Sequence, residues 1–143
     1  MAITLSDEAR RAIGVFERET DAHAVDCLLE TETAVFVVPP DEMATAIGPG
    51  GKTVEALERR LDARVVLVED AERAEPFVAN ALAPAAIYDV HIETDGDDRV
   101  AVASVDPDDM GVAIGREGER IERARQLANR HFELTDVRVE ATE

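Results

Sequence analysis

Lysine is almost missing from this sequence: Lys52 stands alone among 15 basic residues, against 32 acidic ones and a net charge of −17. Taken alone, that balance excludes an ordinary polyanion-binding surface, because affinity for a phosphate backbone comes largely from Lys and Arg that displace counterions. The carboxylates are spread over every predicted helix and turn rather than run together, and 45% of the residues are hydrophobic, which excludes a disordered acidic tail. Two readings stay open, a protein that avoids nucleic acid or one whose whole surface is adapted to concentrated salt. Hydrated carboxylates in place of nearly every lysine favour the second. Cysteine is also scarce. Cys27 cannot form an internal disulfide, and its apolar, strand-like surroundings make it a buried thiol rather than a nucleophile. No apolar run approaches the ~20 residues of a membrane span, and "MAITLSDEAR" lacks the basic-then-apolar order of a signal peptide, so a cytoplasmic location is expected. His23, His91 and His131 are dispersed, and none stands at ligand spacing from Cys27. The carboxylates are too many for any pair to stand out. Neither catalysis nor a metal or nucleotide cofactor is expected.

Glycine, although there are only 8, is concentrated where it matters. "AIGPGGKT" (46–53) has the look of a phosphate loop, but G-x-x-x-x-G-K-[ST] requires a glycine where Ala46 stands. It also requires a strand directly before the loop, whereas "AVFVV" ends at Val38. The dinucleotide pattern G-x-G-x-x-G fails too, because its last glycine would be Thr53. The meaning of the stretch comes from an internal repeat. "PDEMATAIGPGGKTVE" (40–55) aligns without gaps on "PDDMGVAIGREGERIE" (107–122) at an offset of 67 residues. What the copies share is I-G-x-x-G-x-x-[VI]; the Lys-Thr pair has no counterpart in Glu119-Arg120. Both segments are also spared the general acidity. From Ile47 to Arg64 four bases face three acids, and from Ile114 to His131 five bases face three.

A 67-residue period in 143 residues predicts two small domains, 1–70 and 71–143. In the first, Ala9, Ala12, Ile13 and Phe16 recur at helical spacing behind a cap at Ser6 or Asp7. "DCLLE" and "TAVFVV" follow as a hairpin. Pro39-Pro40 ends the second strand, Asp41 is placed to cap a short helix to Ile47, and a further helix from about Lys52 to Leu61 turns Val54, Leu57 and Leu61 inward. "RVVLVE" is the third strand. The second unit repeats this order: "EPFVANAL" as a helix, "IYDVHIE" and "RVAVASV" about the turn "TDGDD", a short helix capped by Asp108, "ERIERARQLANRH" as the long helix and "DVRVE" as a strand. The fold class expected is α+β, twice αββααβ, each unit a three-stranded sheet covered by helices.

An I-G-x-x-G turn between two helices puts a side-chain-free corner at the N-terminus of the second, where N–H groups and the positive end of the helix dipole favour an anion. One such turn reads equally well as an ordinary corner of a helical hairpin. Two of them, in relatively basic segments and in the same αββααβ order, point to nucleic acid. A DNA-reading helix-turn-helix fits less well, because "KTVEALERRL" interleaves acids with bases. The order and the turn resemble the prokaryotic (type II) KH domain, whose GXXG loop clamps the backbone of about four nucleotides. "EPFVANALAPA" (75–85), between the two turns, is similar to the junction of the two KH domains of the transcription factor NusA. The chain resembles the archaeal NusA-like family, which consists of a KH pair alone.

That resemblance implies single-stranded RNA as partner, a role in transcription termination or antitermination, and contact with RNA polymerase or other transcription factors. It implies phosphate-clamping loops of Gly48, Pro49, Gly50 and Gly51 with Lys52 beside them, and of Gly115, Arg116, Glu117 and Gly118 with Arg120. Ile47, Val54, Ile114 and Ile121 would form an apolar floor in the adjacent groove. A KH factor of ribosome or RNA maturation, and a protein-interaction module that has lost RNA binding, stay open as alternatives.

Overall fold

The computed structural model describes residues 3–143, which divide into two compact units meeting at Asp70 and Ala71. In the first, α1 (Asp7–Thr20) leads to β1 (Asp26–Leu29) and β2 (Thr33–Val38), then α2 (Met43–Ile47), α3 (Lys52–Leu61) and β3 (Arg64–Glu69). Ser6 is the N-cap of α1, its hydroxyl accepting from the Ala9 N–H at 3.1 Å. Strand β2 is central, antiparallel to β1 and parallel to β3. The parallel pair requires a crossover, and α2 with α3 supplies it. Alternation along β2 sends Ala34, Phe36 and Val38 into a core with Ala9, Ala12 and Phe16 of α1, Cys27 of β1, Ala46 of α2 and Leu57 of α3. The Phe16 and Phe36 rings stack there with centroids 4.6 Å apart. Of the three α3 residues expected inside, Leu57 is fully buried, whereas Val54 and Leu61 are half-buried.

The second unit is built alike from α4 (Ala74–Ala81), β4 (Ile87–Asp95), β5 (Asp98–Val105), α5 (Met110–Ile114), α6 (Glu119–Phe132) and β6 (Asp136–Ala141). Here β5 is central, antiparallel to β4 and parallel to β6. Both hairpins, the αββααβ order of elements and the α+β class agree with the sequence; the parallel pairing of the third strand of each unit is added by the structure. The run "FVANALAPA" is core-forming in this unit: Phe77, Val78, Ala81, Leu82 and Ala85 are buried, with the Phe77 ring 5.2 Å from that of Phe132 and 5.1 Å from that of His131.

The expected helix caps need correction. Residues 40–42 and 107–109 form single 3-10 turns ahead of α2 and α5, so Asp41 and Asp108 lie inside a turn rather than before a helix. The cap in the second unit is Asp106, whose carboxylate accepts the Asp108 N–H at 2.9 Å and the Tyr88 hydroxyl at 2.7 Å. Its counterpart in the first unit is Pro39, which offers no side-chain cap. The prolines explain the shift, because a ring-fixed φ at residues 40 and 107 starts the turn two positions earlier than a cap at Asp41 or Asp108 would.

Candidate nucleic-acid interface

Each glycine turn joins a five-residue helix to a longer one. Residues before the turn are helical, so the strand-to-loop junction of a nucleotide phosphate loop is not formed. The two turns agree angle for angle. Gly48 (φ 76°, ψ 169°), Gly50 (59°, 21°) and Gly51 (78°, 11°) match Gly115 (81°, 173°), Glu117 (55°, 25°) and Gly118 (77°, 14°). Every one of these residues has a positive φ, the region glycine enters without steric cost. Glu117 does so as a non-glycine residue, in a conformation that costs an L-residue roughly 1–2 kcal/mol.

The two glycines of each motif are needed for different reasons. A Cβ on Gly48 would stand 2.0 Å from the Thr53 hydroxyl and 2.9 Å from its backbone nitrogen, and one on Gly115 would stand 2.8 Å from the Arg120 nitrogen. The first glycine therefore lets the corner close onto the following helix. A Cβ on Gly51 would meet only Val54 at 4.0 Å, and on Gly50 or Gly118 nothing within 4 Å. That side of the turn is open. A structural corner accounts for Gly48 and Gly115; the open space beside Gly50, Gly51 and Gly118 is where another molecule's backbone can approach.

Hydrogen bonding trims the set of donors expected from the sequence. The Gly51 N–H donates to the Gly48 carbonyl and the Gly118 N–H to the Gly115 carbonyl, each at 3.1 Å. The Lys52 and Glu119 N–H groups donate to Pro49 and Arg116. Among the described residues, the N–H groups of Gly50 and Glu117, at the apex of each turn, take no part in these bonds. Lys52 is exposed at the first position of α3. At the second turn Arg116 and Glu117 are exposed side by side, and Glu119 is exposed where the first unit has Lys52.

Positive charge in the second segment is less available than its five arginines suggested. The Arg120 guanidinium donates to the Val112 carbonyl and so ties α6 to α5. Arg123 is buried, and Arg125 donates to Asp136 at 2.7 Å and lies 3.5 Å from Glu122. None of these uses is visible in sequence spacing. The four apolar residues assigned to a floor are not one buried surface: Ile121 is buried, Val54 half-buried, and Ile47 and Ile114 are exposed by 40% and 38%. In each five-residue helix the inward position belongs to the preceding alanine, Ala46 or Ala113, which turns the isoleucine outward beside the glycines. Val112, half a turn from Ile114, is also exposed. Its equivalent in the repeat is Thr45, so the shared pattern of the two copies carries no signal for it.

A carboxylate holds the base of each corner. Glu42 accepts the His23 N–H at 2.9 Å and pairs with the His23 ring Nδ1 at 2.8 Å, while Asp109 accepts the Ala86 N–H at 2.7 Å. The hydrogen bond to Glu42, then its charge, raises the His23 pKa; the same bond lowers that of Glu42. Among the described residues no group of three His, Cys, Asp or Glu could hold a metal ion, and no helix is long and apolar enough to cross a membrane.

Comparison with known proteins gives this geometry a family. Residues 74–141 match the model of the NusA-like second KH domain. The chain is 55% identical over 139 residues to the probable transcription termination protein NusA of Halobacterium salinarum, covering 97% of this chain and 99% of that one. It is likewise 55% identical over 137 residues to the protein of that name from Halococcus morrhuae, covering 96% and 98%. Among solved structures, the crystal structure of APE1850 matches with a TM-score of 0.83 at 28% identity, over 95% of this chain and 100% of that one. These two relatives at 55% identity come from halophilic archaea, in keeping with the near absence of lysine. The chain belongs to the archaeal NusA-like family of probable transcription termination proteins.

Proposed function

We propose that the chain is a non-catalytic, single-stranded RNA-binding protein of two tandem type II KH units, residues 1–70 and 71–143, acting in the cytoplasm in transcription termination or antitermination. The observation that carries this reading is the pair of turns with matching backbone angles, each open on one side and each next to an exposed isoleucine. An RNA phosphate would approach the open side, meeting the apex N–H and the first turn of α3 or α6, where the helix dipole favours an anion. Lys52 and Arg116 would add charge to the contact. Ile47, Val112 and Ile114 would offer apolar surface to unstacked bases. RNA polymerase or another transcription factor is the proposed protein partner, a reading supported by the names of the relatives alone.

The test is binding of short random-sequence single-stranded RNA, followed by fluorescence anisotropy at the lowest potassium chloride concentration that keeps the far-ultraviolet circular dichroism native and again in molar salt. At the lower salt a variant carrying Pro49→Asp, Gly50→Asp, Arg116→Asp and Glu117→Asp together is expected to lose at least roughly tenfold in affinity with its circular dichroism unchanged, since carboxylates would occupy both open faces. Aspartate tolerates the left-handed conformation at the apex better than most residues, so the fold is expected to survive. Unchanged affinity would overturn RNA binding at the turns. Absence of binding by the unmodified protein would favour the protein-interaction module, to which the net charge of −17 lends its weight.

A further inference from the structure

The two turns share one backbone, so any difference in how they treat a phosphate must come from side chains. At the apex the first turn has Gly50 and the second has Glu117, at (59°, 21°) and (55°, 25°). At the first position of the following helix the first has Lys52 and the second Glu119. At the next position the first has Thr53 and the second Arg120, whose guanidinium is engaged on the Val112 carbonyl within its own unit. Only at the second loop position is the second turn favoured, by Arg116 against Pro49. The first turn thus presents an uncharged loop with one lysine. The second presents Arg116 followed by two exposed carboxylates, Glu117 at the apex and Glu119 at the start of α6, beside Gly118, whose missing Cβ would meet no atom within 4 Å outside its chain neighbours.

The backbone makes the contrast sharper. Glu117 occupies a left-handed conformation that glycine, present at the equivalent position of this same chain, adopts without cost. A simple corner has no need of a strained acid at its apex.

We propose that the two turns are unequal: the first is the principal phosphate clamp, and Glu117 holds the second in a weak-binding state by placing a carboxylate where the phosphate would lie. The inference rests on the RNA-binding reading and adds to it which unit anchors the strand and which residue sets the difference. In cells of high ionic strength the carboxylate is largely screened, because the Debye length falls to ~3 Å at molar salt. The second turn then joins the first as salt rises.

Reciprocal exchange at the apex tests this. Gly50→Glu gives the first turn the second's residue in a backbone already known to accept it, and Glu117→Gly does the reverse; Glu117→Gln removes the charge and keeps the size. Affinity for short random-sequence single-stranded RNA is measured by anisotropy, at the lowest potassium chloride concentration that keeps the far-ultraviolet circular dichroism native and again in molar salt. One charge at a contact distance near the surface is expected to change affinity about threefold or more at the lower salt. Gly50→Glu should weaken binding by that factor; Glu117→Gly and Glu117→Gln should both strengthen it. All three effects should shrink in molar salt. If both Glu117 variants bind no better than the unmodified protein at the lower salt, the inequality is wrong while RNA binding stands. If the unmodified protein binds no RNA at either salt, the RNA-binding reading fails and takes this inference with it. Should Gly50→Glu disturb the fold, the Glu117→Gln result decides alone.

Discussion

At the scale of single residues, the glycines of one motif are expected to respond very differently to the same substitution. Gly48→Ala forces a Cβ against Thr53, where the hydroxyl can rotate away but the Thr53 Cβ at 2.6 Å and nitrogen at 2.9 Å cannot. Gly115→Ala meets the Arg120 nitrogen at 2.8 Å and Cβ at 2.9 Å. Positive φ and overpacking together should cost about 3 kcal/mol or more at each. Gly51→Ala and Gly118→Ala meet open space and carry only the left-handed strain, roughly 1–2 kcal/mol. Urea denaturation in molar potassium chloride measures both; equal losses at the first and second glycines would contradict the division between a closed side and an open one. Glu117→Gly should move stability the other way. Release of that strain is partly offset by glycine's greater unfolded-state entropy, about 0.5–1 kcal/mol, leaving a net gain of up to ~1.5 kcal/mol.

Among the elements, the carboxylates that hold the corners make a pH-dependent prediction. His23 has a folded pKa above its ordinary value of 6.5, so the stability it contributes is complete below that pH and is lost as pH rises through the higher folded value. Glu42 has a folded pKa below its ordinary 4.5, so its contribution is present above that pH and is lost on acidification through the lower value. The pair therefore acts most strongly between about pH 4.5 and 6.5. The melting temperature of His23→Ala should fall furthest below that of the unmodified protein in this window and converge with it at alkaline pH. A constant difference across that range would show that the ring's charge is not involved. The same corners show what a sequence can and cannot disclose. The repeat placed both turns at once, and the strands were legible from apolar runs such as Thr33–Val38 bounded by turn residues. Less legible was the phase of a five-residue helix, where one inward alanine decides that Ile47 and Ile114 face out. Tertiary use of charge was not legible at all: Arg120 on a carbonyl and Arg125 on Asp136 look, in sequence, like any exposed arginine. The prolines at 40 and 107 could have located the caps, because they fix where the 3-10 turn begins.

For the whole molecule, the net charge of −17 and the proposed polyanion partner conflict in dilute buffer, and salt is what reconciles them. An ordinary basic binder loses affinity as salt rises, with a log-log slope of about −0.7 per neutralised phosphate on single strands. Few cations at the turns can release counterions: Lys52 and Arg116 are exposed there, while Arg120, Arg123 and Arg125 are engaged or buried in the protein's own structure. The remaining surface repels RNA at long range in dilute buffer, where the Debye length at 0.1 M is ~10 Å, and that repulsion is mostly gone at molar salt. The contacts proposed for the apex N–H groups and for exposed Ile47 and Ile114 act at short range and would persist. Affinity for single-stranded RNA should therefore fall little, or rise, as potassium chloride increases to molar concentration, with a slope no steeper than about −1. Folding stability should rise over the same range, as repulsion among carboxylates is screened. The two must be separated, because a partly unfolded chain at low salt would imitate weak binding; affinities are compared only where circular dichroism and a cooperative urea transition show the native state. A slope of about −3 or steeper within that folded range would mean that four or more cationic contacts carry the binding. Arginines away from the apex, such as exposed Arg59, Arg60 and Arg64, would then have to be its source, and the uncharged first turn could not be the anchor.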